Sequence, residues 1–279
     1  MMRTQSDAAI GIQAASLAGE LLLQLRQAAV TGEVASVALD ADALRAAGDR
    51  DANHAIMKLL ANERPEDSLL SEEAADDPRR LIADRVWVID PLDGTREFGE
   101  QDSAGVWRDD FAVHVALWER GNGLTLGVVG LPARGVIYSS DARTVVPPSP
   151  AGPLRITVSR TRPPGFIAAL ESAGSAKLLP MGSAGVKVMA VVSGEADAYI
   201  HAGGQYQWDS AAPVAVALAA GLVATRLDGS PLRYNVPELL LPDLVVCHPD
   251  RADEVRLLLD AAGFGLDGAS GAGAAESAG

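Results

Sequence analysis

A chain of 279 residues with 48% hydrophobic side chains is long enough to bury one large core or the cores of two lobes. Its formal net charge of −14 excludes nonspecific nucleic-acid binding as a plausible function, because both partners would be negatively charged. The single cysteine, Cys247, excludes an intrachain disulfide and favours a reducing, cytoplasmic compartment.

The first half of the chain is predicted to form two helices followed by five strands. Apolar residues recur at helical spacing on one face of the first helix, namely Ile10, Ala14, Leu17, Leu21, Leu25 and Ala28. A second helix is expected to begin near Asp49 and to end before Arg64-Pro65, because the residue before a proline disfavours the helical conformation. The expected strands lie at 68–71, 86–90, 111–118, 124–130 and 135–139, with the last two antiparallel. We expect neither a signal peptide nor a membrane span, since no unbroken run of about 18 apolar residues occurs.

The proline-rich stretch 147–153 predicts a linker between two lobes. The expected units are an N-terminal α+β lobe over 1–148, a C-terminal α/β lobe over 154–264 and a disordered tail over 265–279. Strands and helices alternate in the second lobe, which indicates helices packed on a sheet. The predicted strands lie at 154–159, 177–180, 196–200 and 243–247, and the predicted helices near 164–173, 184–193, 209–220 and 251–262.

The most informative segment covers residues 86–95, where an apolar strand leads into an Asp-Pro-Leu-Asp turn and then Gly-Thr. The carboxylates of Asp90 and Asp93 are oxygen ligands of the kind that Mg²⁺ prefers. Gly94 permits close approach of the backbone to a ligand, and a helix starting at Thr95 would direct its N–H groups at an anion. Taken alone, the same residues also suit an ordinary solvated turn.

Three motifs in order resemble the lithium-sensitive, Mg²⁺-dependent phosphomonoesterase superfamily, which includes the inositol monophosphatases. The first is a strand ending in Glu72-Glu73, the second is the segment just described, and the third is Trp208-Asp209 at the start of a helix of small residues. The resemblance covers about residues 49–235. It implies an α+β fold, a layered αβαβα sandwich of two lobes with a site for two to three Mg²⁺ ions between them.

The resemblance also implies which residues hold the metals. Glu72, Asp90 and the carbonyl of Leu92 would bind the first ion. Asp90, Asp93 and Asp209 would bind the second. Glu72 is preferred to its neighbour because the family ligand is the first residue of the acidic pair.

The same resemblance places the attacking water beside Thr95, supported by Asp49, with the Gly94 and Thr95 N–H groups around the scissile phosphate. Asp49 and Asp51 compete for the supporting role, because the family's Thr-Asp pair is replaced here by Gly-Asp. We favour Asp49.

The substrate class is suggested by residues outside the metal motifs. Inositol monophosphatases carry a glutamate seven residues before the Trp-Asp aspartate, where this chain has Ala202, and alanine accepts no hydrogen bond from a hydroxyl. Segments near 158–162 and 182–187 resemble those of adenosine-bisphosphate phosphatases. The substrate contacts expected on this basis are Arg160, Arg162, Ser183 and Lys187.

The resulting hypothesis is a phosphatase that removes the 3'-phosphate of adenosine 3',5'-bisphosphate, and also of its sulfated form, with a role in sulfur assimilation and inhibition by Li⁺. An inositol-1-phosphate or fructose-1,6-bisphosphate phosphatase is the alternative within the class, and a catalytically silent metal and nucleotide sensor is the alternative outside it. The expected partner is a small phosphorylated nucleotide, with no nucleic acid or membrane, and a homodimer is left open. The polar loop at 99–110 suits either a lid or a surface insertion.

Overall fold

The computed structural model describes residues 5–31, 40–161, 163, 165–167 and 174–264. Arg162 and the expected disordered tail at 265–279 lie outside the described residues. Of the helix expected at 164–173, residues 165–167 are described, and they are helical.

Two long helices open the chain, α1 over Asp7–Thr31 and α2 over Ala41–Glu63. The start predicted for α2 was wrong, because the Asp40 side chain accepts a hydrogen bond from Ala43 N at 2.8 Å and caps the helix there. Asp49 therefore lies inside α2 rather than at its beginning. The end before Arg64 agrees with the prediction.

The buried face of α1 differs from the predicted one. Ile10, Ala14, Ala18 and Leu22 are fully buried, whereas Leu17 is 37% exposed. Small residues allow this face to approach the first sheet closely: a Cβ on Gly11 would lie 3.1 Å from Val128 Cγ2.

By length and composition α1 is also apolar enough over Asp7–Val30 to cross a membrane, a property that the search for an unbroken apolar run did not detect. Its packed face shows that the helix contributes to the protein core, and length and composition alone are weak evidence for a membrane span.

The first sheet has the strand order β1-β2-β3-β4-β5. β1 is parallel to β2 and the other pairs are antiparallel, including the predicted β4–β5 pair. Asp90 of β2 lies opposite His114 of β3. A single helical turn, α3 at Thr95–Phe98, follows β2. The strands are β1 Ser68–Ser71, β2 Arg85–Asp93, β3 Ala112–Glu119, β4 Gly123–Leu131 and β5 Val136–Ser139.

The second sheet has the order β7-β6-β8-β10-β9, with β6 parallel to β7 and β8, and β10 antiparallel to β8 and β9. Its strands are β6 Leu154–Ser159, β7 Ala176–Met181, β8 Ala198–Tyr206, β9 Val223–Thr225 and β10 Leu240–Cys247. The helices of this half are α4 Ala184–Val192, α5 Gln207–Ala219 and α6 Ala252–Ala261. The sequence did not predict the short strand β9, and the single cysteine, Cys247, is buried in β10.

Three hydrophobic clusters define the layers. One joins α1 and α2 to the outer face of the first sheet, a second fills the space between the two sheets around α4 and α5, and a third packs α6 on the far face of the second sheet. The order is helices, sheet, helices, sheet, helix, so the expected αβαβα sandwich of the α+β class is confirmed. The lobe boundary near 148–154 stays a prediction.

Candidate active site

The carboxyl end of β2 supplies two buried carboxylates. Register with β3 shifts between Asp90 and Asp93, and Gly94 then takes a left-handed φ of 87° that ends the strand. Asp90 is 1% exposed, and its Oδ1 accepts a hydrogen bond from Leu92 N at 3.1 Å. This bond turns the intervening backbone and leaves Asp90 Oδ2 directed elsewhere.

Asp209 joins this pair from α5. One side-chain oxygen from each of Asp90, Asp93 and Asp209 lies within 4.8 Å of the other two. Asp209 lies in the first turn of α5 rather than at its cap, and its Oδ2 accepts the backbone N–H of Tyr206 at 2.6 Å. Helix α5 and strand β2 therefore bring together carboxylates far apart in sequence.

Electrostatic repulsion makes this cluster a poor arrangement without a cation. Burial, followed by the charges of Glu72, Asp93 and Asp209, raises the pKa of Asp90 well above its usual range. Burial also raises the pKa of Glu72, and burial with the Asp93 charge raises that of Asp209 to about 7. Asp90 Oδ2 is buried without a hydrogen-bond partner among the described residues. The donor set therefore fits a divalent cation with oxygen ligands.

Thr95 and Asp49 meet at the edge of this cluster. Thr95 Oγ1 lies 3.3 Å from Asp49 Oδ1 and 3.0 Å from the carbonyl oxygen of Leu92. Burial, with smaller contributions from Glu73 and Glu72, raises the pKa of Asp49 to about 7. The competing Asp51 is paired with Arg50 at 2.8 Å, away from Thr95.

Asp93 is held on one side by three groups. Its Oδ2 accepts hydrogen bonds from Ser183 Oγ and, at 2.7 Å, from Gly185 N, and it lies 3.3 Å from His114 Nε2. Contacts on Oδ2 leave Oδ1 for a ligand. Burial lowers the pKa of His114, and the charge of Asp93 opposes this shift. Sequence reasoning missed His114, whose signal was a polar residue within the apolar strand Ala112–Glu119.

A cavity of about 430 Å³ adjoins this region and is lined in part by Arg96, Arg160, Ser183 and Lys187. Lys187 is 6% exposed, and its Nζ lies 5.2 Å from the centroid of the Tyr199 ring. Burial lowers the pKa of its ammonium, while nearby carboxylates starting with Asp93 oppose that shift. The structure therefore brings together two of the expected substrate contacts, Ser183 and Lys187, next to the predicted metal ligands.

Arg160 also reaches this cavity, but its charge is already engaged. Its guanidinium donates to Glu97 at 2.8 Å and to Glu100. The substrate contact predicted for Arg160 stays a prediction, and in the structure its guanidinium is paired with two carboxylates. Arg96 lines the same cavity and is exposed to solvent.

The loop at 99–110 is fixed at both ends by Arg26 of α1. This side chain is 5% exposed and donates to the carbonyl oxygens of Glu97 at 3.1 Å, Phe98 at 2.9 Å and Arg108 at 2.7 Å. Asp110, the last residue of the loop, accepts a hydrogen bond from Gly182 N at 2.7 Å. These contacts hold both ends of the loop in place, and no sequence motif indicated them.

Comparison with known proteins identifies relatives along most of the chain. A profile of the inositol monophosphatase family matches residues 4–258. The chain is 50% identical over 252 residues to the 3'-phosphoadenosine 5'-phosphate phosphatase of Mycobacterium tuberculosis, covering 88% of each protein. It is 32% identical to the 3'(2'),5'-bisphosphate nucleotidase CysQ of Escherichia coli O157:H7, covering 82% of this chain and 94% of the relative.

Solved structures show the same fold. CysQ from Bacteroides thetaiotaomicron superposes with a TM-score of 0.72 at 27% identity, covering 88% of this chain and 98% of that structure. Inositol monophosphatase II of Staphylococcus aureus superposes with a TM-score of 0.72 at 20% identity, covering 89% of this chain and 93% of that structure. With its profile match, its identity to these relatives and its carboxylate cluster, the chain belongs to the inositol monophosphatase family.

Proposed function

We propose that this protein is a Mg²⁺-dependent phosphomonoesterase that removes the 3'-phosphate from adenosine 3',5'-bisphosphate. The observation that carries the proposal is the cluster of Asp90, Asp93 and Asp209 beside Thr95. The cluster occurs in a chain 50% identical to proteins named 3'-phosphoadenosine 5'-phosphate phosphatase.

Glu72, Asp90 and the Leu92 carbonyl are the proposed holders of one ion, and Asp90, Asp93 and Asp209 those of a second. Bound Mg²⁺ would lower the pKa of water and neutralise negative charge on the phosphate. Glu72 is exposed as a whole residue, while its carboxyl group is desolvated beside Asp90, in keeping with a ligand at the open side of the cluster that also reaches a third, weaker ion.

The attacking water is oriented by the Thr95 hydroxyl and the Asp49 carboxylate. With its pKa raised to about 7, Asp49 is suited to hold a proton near neutral pH. The backbone N–H groups of Gly94 and Thr95 face the scissile phosphate in this proposal. Because α3 is a single turn, these groups act as individual hydrogen-bond donors with little support from a helix dipole.

The second phosphate of the nucleotide is placed in the cavity beside Lys187 and Ser183. A buried ammonium attracts a phosphate strongly, because little water screens the interaction. Arg160 contributes through its pairs with Glu97 and Glu100, which shape the cavity wall, while Arg162 remains a prediction from sequence.

Several narrower expectations belong to the same proposal. They are hydrolysis of the sulfated nucleotide, inhibition by Li⁺, a role in sulfur assimilation and a cytoplasmic location. Whether the protein forms a homodimer is left undecided in this proposal. A catalytically silent sensor is disfavoured, because all five predicted metal ligands are present and Thr95 keeps its contact with Asp49.

The test is phosphate release in Mg²⁺ from adenosine 3',5'-bisphosphate, adenosine 5'-phosphate, inositol 1-phosphate and fructose 1,6-bisphosphate, each with and without Li⁺. We expect kcat/KM for the first substrate to exceed the others by about 100-fold, a difference of about 2.7 kcal/mol in transition-state binding. A flat profile, or a preference for inositol 1-phosphate, would keep the metal site and reject the nucleotide assignment. No turnover of any substrate would favour the sensor.

A further inference from the structure

The residue whose backbone holds the Asp209 carboxylate carries an exposed aromatic ring. Tyr206 ends β8, and its backbone N–H is the group that donates to Asp209 Oδ2 at 2.6 Å. Its ring stacks on that of Trp208, with centroids 4.7 Å apart and an interplanar angle of 7°. Trp208 is 8% exposed, whereas Tyr206 is 46% exposed. One face of the tyrosine thus rests on a fixed aromatic neighbour, and solvent reaches the rest of the ring.

An isolated exposed aromatic residue is common on protein surfaces and needs no function. The position of Tyr206 within the reaction geometry distinguishes it. Asp49 reaches the end of β2 from α2, which packs on one face of the first sheet, and Asp209 reaches it from α5, which packs on the other face. The proposed water-orienting pair and Asp209 therefore approach the phosphate site from opposite sides.

In an in-line displacement at phosphorus the leaving oxygen departs opposite to the attacking one. With the water on the Thr95 side, the sugar of the substrate lies toward Asp209, and the parts attached to the sugar lie near Tyr206. This direction rests on the proposed phosphatase function. The sugar itself is offered no carboxylate at Ala202, so recognition of this half of the substrate depends on another group.

We propose that Tyr206 is the platform on which the nucleobase of the substrate stacks, extending the Trp208–Tyr206 stack by one ring. Stacking on an aromatic face is tolerant of base identity, because every base presents a π-face. The platform therefore selects nucleotides over inositol and fructose phosphates, which have no planar ring. The tyrosine hydroxyl is not required for this role, so phenylalanine is expected to replace it.

The experiment measures equilibrium binding of adenosine 5'-phosphate and of ribose 5-phosphate by calorimetry in Mg²⁺. The two ligands differ by the base alone. We expect the wild-type protein to bind the adenosine compound at least about 10-fold more tightly, the lower part of the range for base–aromatic stacking. Tyr206→Leu is expected to remove this difference and leave ribose 5-phosphate binding unchanged within about 2-fold, and Tyr206→Phe to preserve the difference.

Equal binding of the two ligands by the wild-type protein would overturn the platform without the need for any variant. An equal loss for both ligands in Tyr206→Leu would also overturn it, because it would show that the residue acts through Asp209. Hydrolysis of adenosine 3',5'-bisphosphate by the wild-type protein is assayed in parallel. Hydrolysis without base-dependent binding rejects the platform alone, whereas base-dependent binding without hydrolysis rejects the proposed function alone.

Discussion

The Asp90→Asn substitution is expected to make the metal-free protein more stable and the enzyme inactive. It removes one negative charge from the centre of the carboxylate cluster with almost no change of shape. The Asp90 side chain is 1% exposed, and an amide oxygen can keep the hydrogen bond from Leu92 N. In place of Oδ2, which has no partner among the described residues, the amide N–H₂ donates to neighbouring carboxylates.

The two effects have different magnitudes. Relief of an unsatisfied buried charge is worth about 2 kcal/mol, within the usual range of about 1–3 kcal/mol for such groups. With about 2–4 °C per kcal/mol for a chain of this size class, the metal-free Tm should rise by about 4–8 °C. Loss of the carboxylate proposed to bridge two ions should lower kcat/KM at least about 1000-fold, or about 4 kcal/mol.

Thermal unfolding at pH 8 in EDTA and in excess Mg²⁺, together with phosphate release, measures both effects. The matched control is Asp84→Asn, a side chain that is 90% exposed and pairs with Arg120 at 3.0 Å on the surface. The control should change neither quantity beyond experimental error. A variant at Asp90 that keeps more than about a tenth of the wild-type rate, or that melts below wild type in EDTA, would refute the reasoning.

The other predictions concern the water-orienting pair, pH and one glycine. Asp49→Asn should lower kcat about 100-fold, as expected for loss of a general base, whereas Asp51→Asn should leave kcat unchanged in the same phosphate-release assay; equal effects would contradict the assignment of Asp49. The folded-state pKa of Asp49, about 7, lies above its usual value of 3.8, so the metal-free protein should lose stability as pH rises from about 4 to 7. Over the same pH window the affinity for Mg²⁺ should increase, since carboxylate ligands must be deprotonated to bind a cation. Tm measurements and calorimetric Mg²⁺ titrations from pH 5 to 8 test both trends, and a Tm that rises or an affinity that falls with pH would contradict them. Gly185→Ala would place a Cβ 2.1 Å from His114 Nε2 and should cost about 1–3 kcal/mol in urea unfolding. Gly165→Ala should not, because its Cβ would meet no heavy atom of the described residues within 4 Å.

The local pattern of apolar residues predicted most strands to within a few residues. It failed to predict the start of α2 and the buried face of α1, because both depend on packing against other elements. Local spacing of apolar residues predicted that α2 begins near Asp49. In the structure Gly48 lies inside α2, since a Cβ there would come within 2.7 Å of Phe98 Cε1. The same holds for α1, where Ala14 and Ala18 are buried on the packed face together with Ile10 and Leu22, while Leu17 is 37% exposed.

Among the site residues, too, local spacing predicts some contacts and tertiary packing decides the others. Asp90 and Asp93 share one strand end, so their proximity follows from neighbouring residues alone. The contact of Ser183 with Asp93 spans 90 positions, and the contacts of Arg26 with Glu97 and Arg108 span 71 and 82 positions. Such contacts depend on how helices and sheets pack, which no local spacing encodes.

The sequence by itself therefore determined the family, the layered fold class and the identity of the acidic residues, because these depend on residue type and order. Tertiary structure alone decided which groups are available to a ligand. It engages Arg160 with Glu97 and Glu100, leaves Asp90 Oδ2 without a partner among the described residues, and exposes Tyr206 beside Asp209. Availability depends on burial and on partners distant in the chain, and these are set only when the sheets and helices pack together.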